Sequence, residues 1–522
     1  MPFSALIRLA QRIFRATAIR PISRSAFKPS LEALDPRAMP ALFTWTDAYG
    51  DNQFSDPYDW SNTSGVLTIP GAGDDILFTN FAGAGGSGGP SSGGATGAGG
   101  PSGGSPGDCE GMVSDPNGPF NSIFVTTGYT GTITLAGPVQ TLALCLESGT
   151  IDQPLPSGGS DITVLGGEVP NEYTGLLFPQ LGGADFNWTG GTLNSTDSGA
   201  TLHITGSSTT AVINPQGAGF QSTGDTISLE NGSAGNFLPG TLTFTGGSTG
   251  LVVNANCLAT IEATGTTEAA GATVTFSIGT ASTGSPLNWI KAGGNITVNG
   301  AATWDGAKVP LENDGGTFTV QGGATAAFTG AVGPADQAAS YRQTGTTGLT
   351  LIQNGSSIEV ANSMYLAAGK LSTFATTNGA QPVATLDGDL TDAGADIVIS
   401  DNAYNAAGVI GHQYGTFEVT GNVRWSGGVY RPYLGIVGIG IFEQTIADYW
   451  QIDGSLTVSG GPNGATLGPM LCDPVVSGDW FTILNAANGT TVPVGSAYPN
   501  FQLPGFTLTV NQVSGDWIIT IN

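Results

Sequence analysis

Positive charge is what this 522-residue chain has least of: 13 Lys and Arg stand against 39 Asp and Glu, with only two His. Residues 1–40 hold seven of the cations (Arg8, Arg12, Arg15, Arg20, Arg24, Lys28 and Arg37) and two of the acids. That leaves six basic against 37 acidic groups, a formal charge of −31, for everything after residue 40. A body so charged repels phosphate backbones and anionic lipid, so neither is expected as a partner. Cysteine is scarce as well. Cys109, Cys145, Cys257 and Cys472 form no CxxC pair and have no His nearby, which excludes the usual zinc spacings. Cys109 and Cys145, 36 residues apart, can form a disulfide in an oxidising compartment; the alternative is four thiols packed as small apolar groups. No run of 18 consecutive apolar residues exists, so no transmembrane helix is expected.

What is present is glycine, at 83 residues, together with Ser and Thr and a hydrophobic fraction of 39%. Glycine at that density argues against helices, where it costs about 1 kcal/mol relative to Ala. Short apolar strings keep the chain from reading as disordered. From "GTITL" (131–135), "TLALCL" (141–146), "DITVL" (161–165) and "TLHIT" (201–205) to "SLTV" (455–458), "FTLTV" (506–510) and "WIITI" (517–521), apolar residues alternate with Thr, Ser or another polar residue. That is the period-2 pattern of strands with one buried face. Turns such as Asn-Gly at 231–232, 299–300 and 354–355 and Asp-Gly-Gly at 314–316 punctuate them.

Nothing of helical period and ordinary helix length separates the strands, which excludes βαβ units. A string of sandwiches would show linkers about every hundred residues, and none stands at that spacing. The expected architecture is therefore an all-β solenoid, a right-handed parallel β-helix with capping ends. Its coils of about 20–25 residues would stack at about 4.8 Å, with Gly at the corners. The organisation read from the sequence is a basic targeting or sorting leader over 1–41, then first coils or an N-terminal cap over 42–81. A Gly/Ser-rich flexible loop (82–108), a β-helix body (109–446) and a C-terminal module or cap (447–522) follow. The loop core, residues 82–107, has 13 Gly in 26 positions and no apolar residue larger than Ala or Pro. In the leader, residues 3–19 read as an amphipathic helix whose Arg8 and Arg12 interrupt the apolar run of a standard signal peptide.

Three motifs carry a resemblance. Leu31, Glu32, Ala33, Leu34, Asp35 and Arg37, followed by Pro40-Ala41, resemble the LExLExR sorting signature near the start of many secreted planctomycete proteins, with Asp35-Pro36 in place of its usual acidic pair. The segment 43–78, through Trp45, Gly50, Asp51, Phe54, Trp60, Pro70, Gly73, Asp74 and Phe78, resembles the opening coil of autotransporter-passenger-like β-helices. Inner repeats "FNWTGGTL" (186–193) and "VRWSGGVY" (423–430), echoed in "ATWDGA" (302–307), lead to a stretch over 447–522 that is similar to the closing module of those passengers. The resemblance is to the passenger alone, without a membrane-spanning β-barrel. It implies a secreted, cell-surface β-helix of structural or adhesive role, with no enzymatic activity. Its partners would be further copies of itself, joined head to tail into fibres, or surface polysaccharide.

The competing reading is a polysaccharide lyase or glycosidase, or a carbohydrate-binding module, on the same fold. Arg424 and Arg431 flank Trp425 and Tyr430, which would form a sugar-stacking patch if exposed; otherwise Trp425 fills the core, as at Trp188. Acid clusters at Asp74-Asp75, at Asp387, Asp389, Asp392 and Asp396, and at Glu443 with Asp448 are read as turn chemistry rather than catalytic pairs. His203 and His412 have no Ser or Cys partner in sequence context, so no triad is expected. No cofactor is expected beyond Ca²⁺ taken up by scattered Asp side chains as a stabiliser.

Overall fold

In the computed structural model the described residues run from 41 to 521, leaving out 1–40, 80–107, 167–184, 400–414, 492–507 and shorter stretches between strands. The chain divides into two units, Met1–Pro40 and Ala41–Asn522, and all described residues belong to the second. Among them there is no α-helix, only a 3-10 turn at Pro57–Asp59, and no helix is long and apolar enough to cross a membrane.

The protein is all-β; most of its described strands join in one large, predominantly parallel sheet, and Tyr433–Val437, Gln444–Ala447 and Met470–Leu471 form a second, small one. Through the middle of the chain each strand pairs with the strand three places on. Phe186–Trp188 lies parallel between Val139–Leu146 and Thr210–Ile213. Thr192–Asn194 lies between Thr150–Asp152 and Gln221–Thr223, and Thr201–Thr205 between Ile162–Val164 and Thr226–Glu230. The result is three interleaved ladders. The separation of paired residues is not uniform: Thr201 pairs with Thr226, 25 on, while Thr416 pairs with Tyr449, 33 on. The expected 20–25 residues is exceeded at several points, most among paired strands where Ile76 pairs with Ile123, 47 on, and Leu144 with Phe186, 42 on; towards the C-terminus long strands serve more than one ladder. Ser357–Leu366 and the 16-residue Val383–Val398 do so, with register shifts at Glu359/Ser363 and Asp392/Ala393.

Alternation sets burial. Thr132–Leu135, Asn295–Val298 and Thr416–Val419 all show partly exposed and buried residues in turn, Thr or another polar residue outward and Ile, Leu, Val or Phe inward. Register places like on like: Leu202 pairs with Ile162 and Ile227, and Trp304 pairs with Phe328, their rings stacked at 4.9 Å. One continuous core runs from Phe43 to Ile519.

The recurrent Trp-x-Gly-Gly motif is a corner device. Trp188 and Trp425 are fully buried, and the glycines behind each cross closely over the preceding strand. Gly428 has φ +77°, and a Cβ there would collide with the carbonyl oxygen of Ala395; at Gly190 it would meet that of Glu147. Only glycine meets both demands.

Both ends of the sheet turn antiparallel. Leu42–Trp45 pairs parallel with Asp75–Phe78 and antiparallel with the three-residue Trp60–Asn62. At the other end Trp480–Ala486 pairs parallel with Tyr449–Ile452, then antiparallel with Asp516–Ile521, itself in a hairpin with Leu508–Val513. Short or antiparallel edges blunt the tendency of strands to pair with other chains.

Candidate functional site

The densest group of potential ligands is at the N-terminal end. Asp51, Asp56 and Asp59 each bring a carboxylate oxygen within 4.8 Å of the others. Local chain geometry builds the group. Asp56 caps the 3-10 turn by accepting from Tyr58 N (2.8 Å), and Asp51 accepts from Gln53 N (3.0 Å). Asp47 and Asn52, both at positive φ, turn the chain back, and Asn52 N donates to Asp47 Oδ1 at 3.3 Å. Asp59 is buried, whereas Asp51 is exposed. A side-chain hydrogen bond with Asp59, then the Gln53 N–H, holds the Asp51 carboxyl below the usual range. Three carboxylates in this arrangement suit a hard divalent cation. Sequence reading used Asp51 only as part of the opening pattern; three Asp within nine residues of "DNQFSDPYD" was the available signal.

The residues singled out from sequence are placed as follows. Trp188, Trp304 and Trp425 are all at 0% exposure, as is Tyr430, so none presents a ring to a sugar. Arg431 pairs with Asp396 (Nη2 to Oδ2, 3.2 Å). The Asp387–Asp396 acids sit within one strand and do different work. Asp387 accepts from Thr420 Oγ1 (2.5 Å) and Asp389 from Asn422 N (2.7 Å), both on the next rung. Asp392 is buried; its Oδ1 accepts from Gly394 N (3.1 Å) and Ala395 N (2.9 Å), and burial pushes its carboxyl up to about 7. Asp74 accepts from Ala41 N (3.0 Å) and Gly71 N (2.9 Å), a tether for the first strand. Asp75 is buried against Asn121 and Ser122, and desolvation raises its carboxyl. Asp448 is buried and accepts from Gly415 N (2.9 Å) and Tyr433 N (3.0 Å).

His203, isolated in sequence, is not isolated in space. Its Nδ1 lies 2.8 Å from Glu230 Oε1 and its Nε2 3.3 Å from Asp161 Oδ2, one partner on each flanking rung. Ser228 Oγ donates to the same Glu230 oxygen (2.8 Å). Cys109 and Cys145 are both free and buried, and desolvation pushes the Cys145 thiol up to about 12. Leu31, Glu32, Leu34, Asp35, Arg37, His412, Glu443, Cys257, Cys472 and the Gly-rich segment 82–107 lie outside the described residues.

Comparison with protein-family models returned no match, and comparison with curated proteins returned none either.

Proposed function

We propose that the chain is a secreted, right-handed parallel β-helix that serves as a structural or adhesive rod at the cell surface, with residues 1–41 as its sorting leader. The observation that carries this reading is the series of three interleaved parallel ladders with every large aromatic of the Trp-Gly-Gly corners turned inward. Three ladders advancing in step are what a coiled stack produces, and such a stack gives length and stiffness from one short repeated unit. Its outer face, rich in Thr, Ser and Asn, suits continuous contact with solvent. Burial of Trp188, Trp304, Trp425 and Tyr430 removes the stacking surface on which the polysaccharide-enzyme alternative depended. The antiparallel Trp60–Asn62 and Asp516–Ile521 blunt one ladder at each end against head-to-tail pairing, while Thr466–Leu467 and Thr490–Thr491 end the other two C-terminally in parallel register.

Small-angle scattering with electron microscopy of purified protein tests the reading. Single elongated particles at all concentrations are expected. A compact particle would overturn the rod, and concentration-dependent fibres would restore head-to-tail assembly.

A further inference from the structure

One ladder carries a line of outward side chains that includes two arginines. Outward positions on Leu311–Asp314, Tyr341–Gln343, Ser357–Leu366, Val383–Val398 and Val423–Arg431 fall in register, one per rung. The pairs are Glu312 with Arg342, Arg342 with Tyr365, Tyr365 with Thr391, Thr391 with Arg424, and Arg424 with Thr457. At about 4.8 Å per strand, Arg342 and Arg424 stand roughly 14 Å apart. The Arg342 guanidinium lies over the Tyr365 ring, 5.8 Å from its centroid, which fixes an otherwise flexible cation.

The charge environment makes these two arginines unusual. In a chain with 39 acids, neither Arg342 nor Arg424 makes an ion pair among the described residues, while Arg431 is held by Asp396 at 3.2 Å. Glu312, one rung away, is engaged by Thr344 Oγ1 at 2.8 Å. Two cations left open on an acidic rod, with a tyrosine and a threonine between them, are complementary to an external anion.

We propose that this stripe binds an acidic polysaccharide, an extended chain lying along the stack with its carboxylate or sulfate groups on Arg342 and Arg424. Spacing decides the polymer class. A nucleic-acid strand carries a charge about every 3.4 Å, far denser than two arginines about 14 Å apart, and its remaining phosphates would face the acidic body. A polysaccharide charged at wide intervals meets the arginines and leaves neutral sugar against Tyr365, Thr391 and Thr457. The inference rests on the adhesive reading and names its ligand class.

The test is surface plasmon resonance of the intact protein over immobilised hyaluronate, which carries a carboxylate on every second sugar, with densely charged polygalacturonate and neutral dextran as controls, at low and high salt. Binding to hyaluronate, weakened by salt, is expected to exceed binding to polygalacturonate, with none to dextran. Arg342→Gln and Arg424→Gln should each weaken it about tenfold, since hydrogen bonds to charged groups carry that much, and the double variant should abolish it. Arg431→Gln should leave it unchanged. Thermal melting confirms that each variant is folded. No binding above dextran, or arginine variants that bind like the wild type, would overturn the proposal. Scattering separates the two readings: an elongated particle that fails to bind sinks only the stripe, whereas a compact one sinks the rod.

Discussion

Replacing Asp392 by Asn should lower stability at acid pH and raise it above neutral pH. Asp392 lies inside the stack, paired in register with Leu366 and Trp425. One carboxylate oxygen is capped by the Gly394 and Ala395 amides, while Oδ2 is buried with no hydrogen-bond partner. Burial raises its pKa from 3.8 to about 7, against the downward pull of those two amides. Below about pH 4 both folded and unfolded states hold the proton, and the group imposes no penalty. As pH rises, the unfolded chain ionises while the folded one keeps its proton, so stability falls until about pH 7 and is flat beyond. A shift of about three units corresponds to about 4 kcal/mol. Asn retains the capped oxygen but places an NH₂ where Oδ2 has no partner, costing about 1–3 kcal/mol at every pH. Asp392→Asn is therefore expected to be less stable than the wild type at pH 4 and more stable, by about 1–3 kcal/mol, at pH 8. Denaturant midpoints of both proteins at pH 4, 6 and 8 measure the difference, which cancels contributions from other carboxyls such as Asp75 and Asp152. A variant that is less stable at pH 8, or a difference that does not move with pH, would refute the reasoning.

Gly428→Ala should destabilise by more than about 2 kcal/mol, because strain at positive φ adds to the collision with Ala395. Gly489→Ala, at φ +87° with nothing within 4 Å, should cost only the backbone strain, as paired thermal melts would reveal. Trp304→Ala removes a ring stacked on Phe328 at 4.9 Å and edge-on to Phe318 at 5.8 Å; a loss of about 3–5 kcal/mol is expected in denaturant unfolding. Cys109 and Cys145 should resist alkylation at pH 8 until denaturant is added, and reductant should leave the melting temperature unchanged; mass spectrometry of the alkylated peptides checks both. Asn422→Ala, which removes the Nδ2 donation to Asp389 (3.3 Å) and the Oδ1 that accepts from Ser455 N and Oγ, but keeps the backbone bond to Asp389, should cost about 1–2 kcal/mol independent of salt. Arg431→Gln, which breaks a solvent-screened ion pair, should cost under about 1 kcal/mol and less still in high salt.

Period-2 alternation and Gly-rich turns were enough to read strands without helices, because burial on one face forces that pattern wherever a strand runs. The Trp-Gly-Gly repeats could be read as core corners for the same reason: a large ring followed by two residues without Cβ marks a close crossing. Register was not legible. Nothing in "TLHIT" announces that His203 falls between Glu230 and Asp161, since loops of different length decide which residues share a rung. Long strands hid in the same way. "ATLDGDLTDAG" reads as a run of turns, yet Val383–Val398 is continuous, its glycines and bulges absorbing the corners inside a single strand. The ladder of Arg342, Tyr365 and Arg424 was invisible because its members are separated by 23 residues at one step and by 59 at the next.

The same rung geometry explains how a body of charge −31 folds with so few cations. Stacked side chains stand about 4.8 Å apart, so a column of carboxylates would repel itself. Instead, acids are met on the neighbouring rung by neutral donors: Asp152 by Asn194 Nδ2 at 2.7 Å, Asp389 by Asn422 N at 2.7 Å, Asp516 by Asn485 Nδ2 at 2.6 Å. Asn422 then accepts from Ser455 Oγ at 2.8 Å, extending the column across three rungs. Such bonds stitch strand to strand as ion pairs would, yet need no counter-charge and resist screening by salt. A surface stabilised in this way needs few ion pairs, and Arg431 on Asp396 at 3.2 Å is one that it does use. Arg342 and Arg424, in register on one ladder, stand outside that scheme.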